Sequence, residues 1–171
     1  MKKNIMILSV LACLSSPVFA QTGIVKTIDI STKAAVKASN VALEICEQKQ
    51  LSCIVTVVDS KGLLKSQIVM DGAFPHAVET SLRKARTAAS RKKETHLLEE
   101  VTSTEPDIAM TFNAIGLTTL SGGVPIKIDN QVIGAMGISG APGEDENGDD
   151  HDAVIVNQAL QAIQSDLSQS D

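Results

Sequence analysis

Residues 53–69 read CIVTVVDSKGLLKSQIV, and this stretch decides the fold. Cys53 to Val58 is a β-branched run, Asp59-Ser60-Lys61-Gly62 is a turn signal, and Leu63 to Val69 returns as a second strand. The pattern predicts a hairpin. Downstream, Val124 to Ile128 and Gln131 to Ser139 repeat it about Asp129-Asn130, residues that tolerate the left-handed backbone of a tight turn. Between the hairpins a helix follows Pro75, with Val78, Leu82, Ala85 and Ala89 on its buried side. Glu79 and Arg83 stand four apart on its surface in the favourable order. Upstream, Ser31 or Thr32 caps a helix whose apolar face is Ala34, Ala38, Val41, Ala42 and Ile45. Ala153, Val156, Leu160, Ile163 and Leu167 mark a closing helix. Residues 94–120 carry a weaker signal: Leu97, Leu98 and Val101 fit a short helix, and Glu105-Pro106-Asp107 interrupts.

The order is α-β-β-α-β-β-α, an α/β domain of the α+β kind. Two hairpins make an antiparallel sheet flanked by helices, which such a sheet can carry on one face. A parallel nucleotide-binding sheet does not fit this order. No internal repeat or long linker divides the chain.

The N-terminus points to export. Lys2 and Lys3 precede an apolar stretch from Ile5 to Leu14, and Val18-Phe19-Ala20 supplies the small residues a signal peptidase needs. The stretch is shorter than the roughly 20 residues that span a bilayer. Residues 1–20 are therefore expected to be a cleaved signal and residues 21–171 one domain, periplasmic or secreted, without membrane insertion. The chain carries a net charge of −5, and losing Lys2 and Lys3 makes it more acidic. An acidic surface disfavours nucleic acid, whose binding is driven by phosphate neutralisation. Outside the signal the only aromatics are Phe74 and Phe112, so stacking platforms for single strands are lacking. Of the three cysteines, Cys46 and Cys53 remain after cleavage, and an oxidising compartment favours bridging them. Their spacing is not that of a redox or zinc motif.

The motifs each have a plain reading beside the functional one. Gly122-Gly123, Gly134, Gly137 and Gly140 do not form a phosphate loop, and glycines in a strand signal a close approach of backbone or ligand. Arg83, Lys84, Arg86, Arg91, Lys92 and Lys93 form a basic stripe, either a solvated face or a seat for a ligand's carboxylates. The acidic run Glu144, Asp145, Glu146, Asp149, Asp150, Asp152 fails the EF-hand pattern, whose sixth and twelfth positions hold Asp150 and Val156 when counted from Asp145. Its last acids suit the N-terminus of the final helix. His76, His96 and His151 have no helical ligand spacing, but His76 and His96 bracket one helix and could line the same end of the domain. Ser121 and Ser139 lie beside glycines outside any nucleophile motif, and no catalytic constellation emerges.

Several segments in one order resemble the GlcG/HbpS family. They are Val57-Val58-Asp59 with Gly62-Leu63-Leu64, Met70-Asp71-Gly72-Ala73, Lys84-Ala85-Arg86-Thr87-Ala88, Gly122-Gly123-Val124-Pro125-Ile126 and Ile133 to Gly140. The resemblance implies a profilin-like α/β fold and homo-oligomers of up to eight subunits. It implies haem bound at subunit boundaries in some members, with roles in haem or iron handling and redox sensing, and glycolate metabolism in others. The chain departs from the family at Val69, where an arginine is common, and at Glu94-Thr95, where Pro-Thr is common.

The expectation is thus an exported haem-binding protein. His76 or His96 would be the iron ligand, Arg83, Lys84 and Arg86 would meet the propionates, and Met70 and Gly122-Gly123 would shape the pocket. The rival is a binding protein or enzyme for a small hydroxy acid, using the same cations and Asp71 as a base.

Overall fold

The computed structural model describes Gly23 and residues 26–167, so the expected export signal, residues 1–20, lies outside the described residues. The chain runs α1 (Thr32–Gln48), β1 (Ile54–Asp59), β2 (Leu64–Val69), α2 (Ala77–Arg91), a 3₁₀ turn (Thr95–Leu98), α3 (Glu99–Thr104), α4 (Pro106–Ala114), β3 (Gly123–Ile128), β4 (Gln131–Ser139) and α5 (His151–Leu167). Local signals act where the sequence places them. The Ser31 hydroxyl accepts from the amide of Ala34 and caps α1. Asp129 and Asn130 take φ of 48° and 64°, as the β3–β4 turn requires. The Asp59 carboxylate accepts from the amides of Lys61 and Leu63, closing the β1–β2 turn.

Both hairpins join one antiparallel sheet in the order β2-β1-β4-β3. The seam is β1 against β4, with Thr56 opposite Gly137 and Val57 opposite Met136. Side chains alternate across it. Val55, Val57, Met136 and Ile138 enter a core closed by α1 and α5, including Ala38, Ala42, Ile155 and Ala159. Val58 and Ala135 point the other way, onto Ala85, Ala88 and Ala89 of α2.

Helices therefore cover both faces of the sheet, where the hairpin order was read as compatible with one covered face. The reason is visible in β1: every residue of it is buried, which demands a partner on each side. Burying one such valine or isoleucine stabilises the fold by roughly 1.5–3 kcal/mol. The strand glycines explain how α2 comes so close. A Cβ on Gly137 would lie 2.2 Å from the carbonyl oxygen of Ser81 and 2.5 Å from the amide nitrogen of Ala85. Just beside it the hydroxyls of Thr56 and Ser81 meet at 2.7 Å. Gly137 is there for helix backbone.

The weakly patterned segment is more helical than its sequence signals. A 3₁₀ turn runs into α3, and Pro106 opens α4 at its first turn, where its missing N–H costs nothing. The interruption at Glu105-Pro106-Asp107 is thus a boundary between two helices. Cys46 and Cys53 form a disulfide, with Cα atoms 6.2 Å apart, that ties the end of α1 to the start of β1. A loop this short contributes about 2–3 kcal/mol on a chain-entropy basis.

Gly137→Ala should cost about 3 kcal/mol, since neither contacting atom belongs to a side chain that can swing away. Urea unfolding checks this. An unchanged midpoint would mean that α2 can lift from the sheet at little cost.

Candidate functional site

The candidate residues gather around the first turn of α5. Lys84 lies on the sheet-facing side of α2 and is only 4% exposed. Its Nζ donates to Asp152 Oδ2 at 2.7 Å, and Asp152 Oδ1 accepts from the Ala141 amide at 3.0 Å. Burial pushes the Asp152 carboxyl above the ordinary aspartate range, against the opposing pull of Lys84. Gly122 and Gly123 seal the pair. A Cβ on Gly122 would sit 2.7 Å from Asp152 Cβ, and one on Gly123 would sit 2.4 Å from the Lys84 carbonyl oxygen. The Gly123 amide donates to Thr95 Oγ1 at 2.8 Å.

Two expectations are corrected by this geometry. Lys84 is not presented to a ligand's carboxylates, because an internal carboxylate already satisfies it. Gly122 and Gly123 are buried and wall off the ion pair, so neither forms an open pocket surface.

The histidines border neighbouring clefts that share Asp150. One cleft, of about 460 Å³, is lined by His96 with Glu99, Ser121, Asp145 and Asp149. The other, of about 270 Å³, is lined by Phe74, His76, the Gly140–Gly143 segment and Asp152. Phe74 and His76 stack with ring centroids 5.7 Å apart. His96 has a carboxylate partner: its Nδ1 lies 3.2 Å from Glu94 Oε2. Glu94 is one of the positions noted above as unlike the family the sequence resembles, and here it sits against the histidine.

The acidic segment between the clefts is held by its own hydrogen bonds. Asp145 Oδ1 accepts from the amides of Asn147 and Asp149, which holds that carboxyl below its usual range. His151 Nδ1 bonds the Pro142 carbonyl at 2.9 Å. Among the described residues no group of three or more His, Cys, Asp or Glu is arranged to hold a metal ion.

The remaining candidates lie apart. Met70 Sδ accepts from the Cys53 amide at 3.3 Å, and Asp71 is exposed on the following turn; neither lines these clefts. Arg83 pairs with Glu79 at 2.9 Å and also reaches the Asn113 carbonyl. Arg86 Nε donates to the Gly62 carbonyl at 3.3 Å. Arg83, Lys84 and Arg86 thus form no common cationic surface: Lys84 is buried against Asp152, and Arg83 and Arg86, though one turn apart, reach carbonyls of different segments. Sequence reading missed Asp152 as the partner of Lys84 and Glu94 as the partner of His96. Asp152 was visible only as a helix-start acid, since its partner lies 68 residues away. The Glu94-to-His96 spacing is short enough to have been noticed.

Comparison with known proteins gives a consistent picture. The family model described as "Haem degrading protein HbpS-like" matches residues 30–159. Protein GlcG of Escherichia coli strain K12 is 38% identical over 96 residues, which are 56% of this chain and 70% of GlcG. The crystal structure of a double mutant of Streptomyces reticuli HbpS superposes with a TM-score of 0.73 at 27% identity, covering 87% of this chain and 97% of that one. A crystal structure of a PduOC:heme complex gives a TM-score of 0.68 at 26% identity, covering 80% and 96%.

The buried pair makes a sharp prediction. Asp152→Asn or Lys84→Met alone should cost about 3–5 kcal/mol, because each leaves a buried group without its partner. The double substitution should cost less than the two single costs combined, by about 1 kcal/mol or more. A double-mutant cycle in urea reads this directly. Strict additivity would show that the two charges do not stabilise each other.

Proposed function

This chain belongs to the GlcG/HbpS family, the HbpS-like haem degrading proteins, and on that premise we propose that it binds haem with His96 as the iron ligand. The observation that carries the choice is the Glu94–His96 contact at 3.2 Å. A histidine that ligates a metal usually gives its other ring N–H to a carboxylate or carbonyl, which sets the tautomer and raises the basicity of the ligating nitrogen. With Nδ1 turned to Glu94, Nε2 is the nitrogen left for iron. His76 has a stacked phenylalanine and, among the described residues, no carboxylate in ion-pair contact.

The cleft that His96 lines is mostly polar and acidic, and the apolar surface lies in the chain segment beyond it. Leu97, Met110, Ile115 and Leu120, all in the segment that follows His96, are each more than half exposed. These side chains are the exposed apolar surface that the segment offers to an apolar ring. Asp145, Asp149 and Asp150 would repel the propionates of a haem at His96, so the chain would have to meet that charged edge with other residues. Bound haem would supply iron redox chemistry, with the potential set by the axial ligand and the polarity around it. The chain's own part is to hold the imidazole, exclude water with aliphatic surface and orient the charged edge. Export to the periplasm belongs to the same proposal and rests on residues 1–20.

Titration of the mature protein with haemin, followed by its absorption spectrum, tests the reading. His96→Ala should lose the shifted Soret band, His76→Ala should keep it, and Glu94→Gln should weaken binding about tenfold. A spectrum that matches free haemin at every ratio would sink haem binding itself. Loss in His76→Ala with retention in His96→Ala would move the ligand to the other cleft.

A further inference from the structure

The cations of α2 find partners of different kinds within the chain. Arg83 pairs with Glu79, Lys84 pairs with Asp152, and the Arg91 guanidinium lies 5.8 Å from the centre of the Phe112 ring. Lys92 and Lys93, just past the helix end, are exposed to water. Arg86 is half-buried, yet no carboxylate partners it among the described residues. Its acceptor among the described residues is the Gly62 carbonyl, bonded by Nε, which aims the guanidinium across the β1–β2 turn. A half-buried charge without a counter-ion is unfavourable unless something else supplies one.

Beside it is a cleft of about 370 Å³ lined by Ser60, Lys61, Gly62, Arg86, Ser90 and Leu117. Its rim is rigid. Asp59 Oδ1 accepts from the amides of Lys61 and Leu63, both at 2.9 Å. Asp29 Oδ1 accepts from the amide and the hydroxyl of Ser60, and Asp29 Oδ2 is a loose 3.8 Å from Lys61 Nζ. These two carboxylates are engaged in holding the turn, and Arg86 is bonded to neither. Ser90 lies one helical turn beyond Arg86 on the same side of α2. The Arg86 guanidinium, bonded only through Nε, the loosely paired Lys61 ammonium and the Ser90 hydroxyl bring donors to one cleft. A guanidinium's planar fork matches an oxyanion with two parallel hydrogen bonds.

We propose that this cleft is a second ligand site, distinct from the His96 face, that binds a small oxyanion such as a carboxylate or a phosphate. Arg86 grips the anion, and Lys61 and Ser90 complete its shell. The site does not depend on the haem reading.

Amide NMR of the labelled mature protein tests it, with sodium acetate and sodium phosphate compared with sodium chloride at matched ionic strength. At least one oxyanion should produce saturating shifts at Lys61, Gly62 and Ser90, and chloride should not. The acetate and phosphate arms identify which class the site prefers. Arg86→Gln should weaken binding at least tenfold, Arg86→Lys less so, and Lys93→Gln not at all. The spectrum of each variant reports its folding, and Lys61→Gln, on the exposed turn, provides an independent weakening should Arg86→Gln not fold. Equal shifts with chloride, no saturation, or full retention by folded Arg86→Gln would overturn the proposal. A parallel haemin titration separates the two readings. A Soret titration unchanged by Arg86→Gln keeps this site independent. Weaker haemin binding in that variant, with no binding of free oxyanions, would show that Arg86 serves the haem's own carboxylates and would overturn a free-anion site.

Discussion

An ammonium and a carboxylate, 2.7 Å apart and almost wholly out of water, constrain everything around them. Lys84 brings α2 and Asp152 brings α5, so the pair joins the helix on one face of the sheet to a helix on the other. Taking two charges out of water costs several kcal/mol each, and only close contact with further hydrogen bonds offsets it. Asp152 meets that need through the Ala141 amide, which fixes the chain where β4 leaves the sheet. The positive φ of Gly122, 102°, and the absence of a side chain there let the backbone close over the pair. Displacing any one of these groups exposes or orphans the others.

The same end of the molecule carries the candidate chemistry, and the ion pair explains why. With α5 anchored at Asp152, the preceding acidic segment is drawn into a short self-bonded loop between two clefts. Thr95, bonded to Gly123, sets the 3₁₀ turn against β3 and thereby places His96. The histidine's position therefore follows from the glycine turn that covers Lys84. A scaffold of rigid elements with polar groups at their ends is where binding sites tend to form.

Much of the fold was legible in the sequence. Both hairpins, the turn at Asp129-Asn130, the cap at Ser31 and the three long helices are determined by interactions within about ten residues, which a periodicity reveals. The covering of both faces was less legible, because alternation in β1 is erased when both sides are buried. The small helix α4 was hidden by Pro106, which reads as a breaker although it opens a helix as readily as it ends one. The strand glycines signalled a close approach without saying whether it was ligand or helix. The structure assigns Gly137 to the backbone of α2.

The sequence by itself determined the family, the element order and the pool of residues with chemical potential, because these depend on local pattern and composition. Only the tertiary structure decided what those residues do. Six cations lie between Arg83 and Lys93, and nothing local separates them. Folding buries Lys84 against an aspartate 68 residues away, pairs Arg83 on its own helix, and leaves Arg86 facing a turn 24 residues upstream. Charge–charge contacts of this kind are set by which helix face meets the sheet and by the sheet order, neither of which the spacing of charges along the chain encodes.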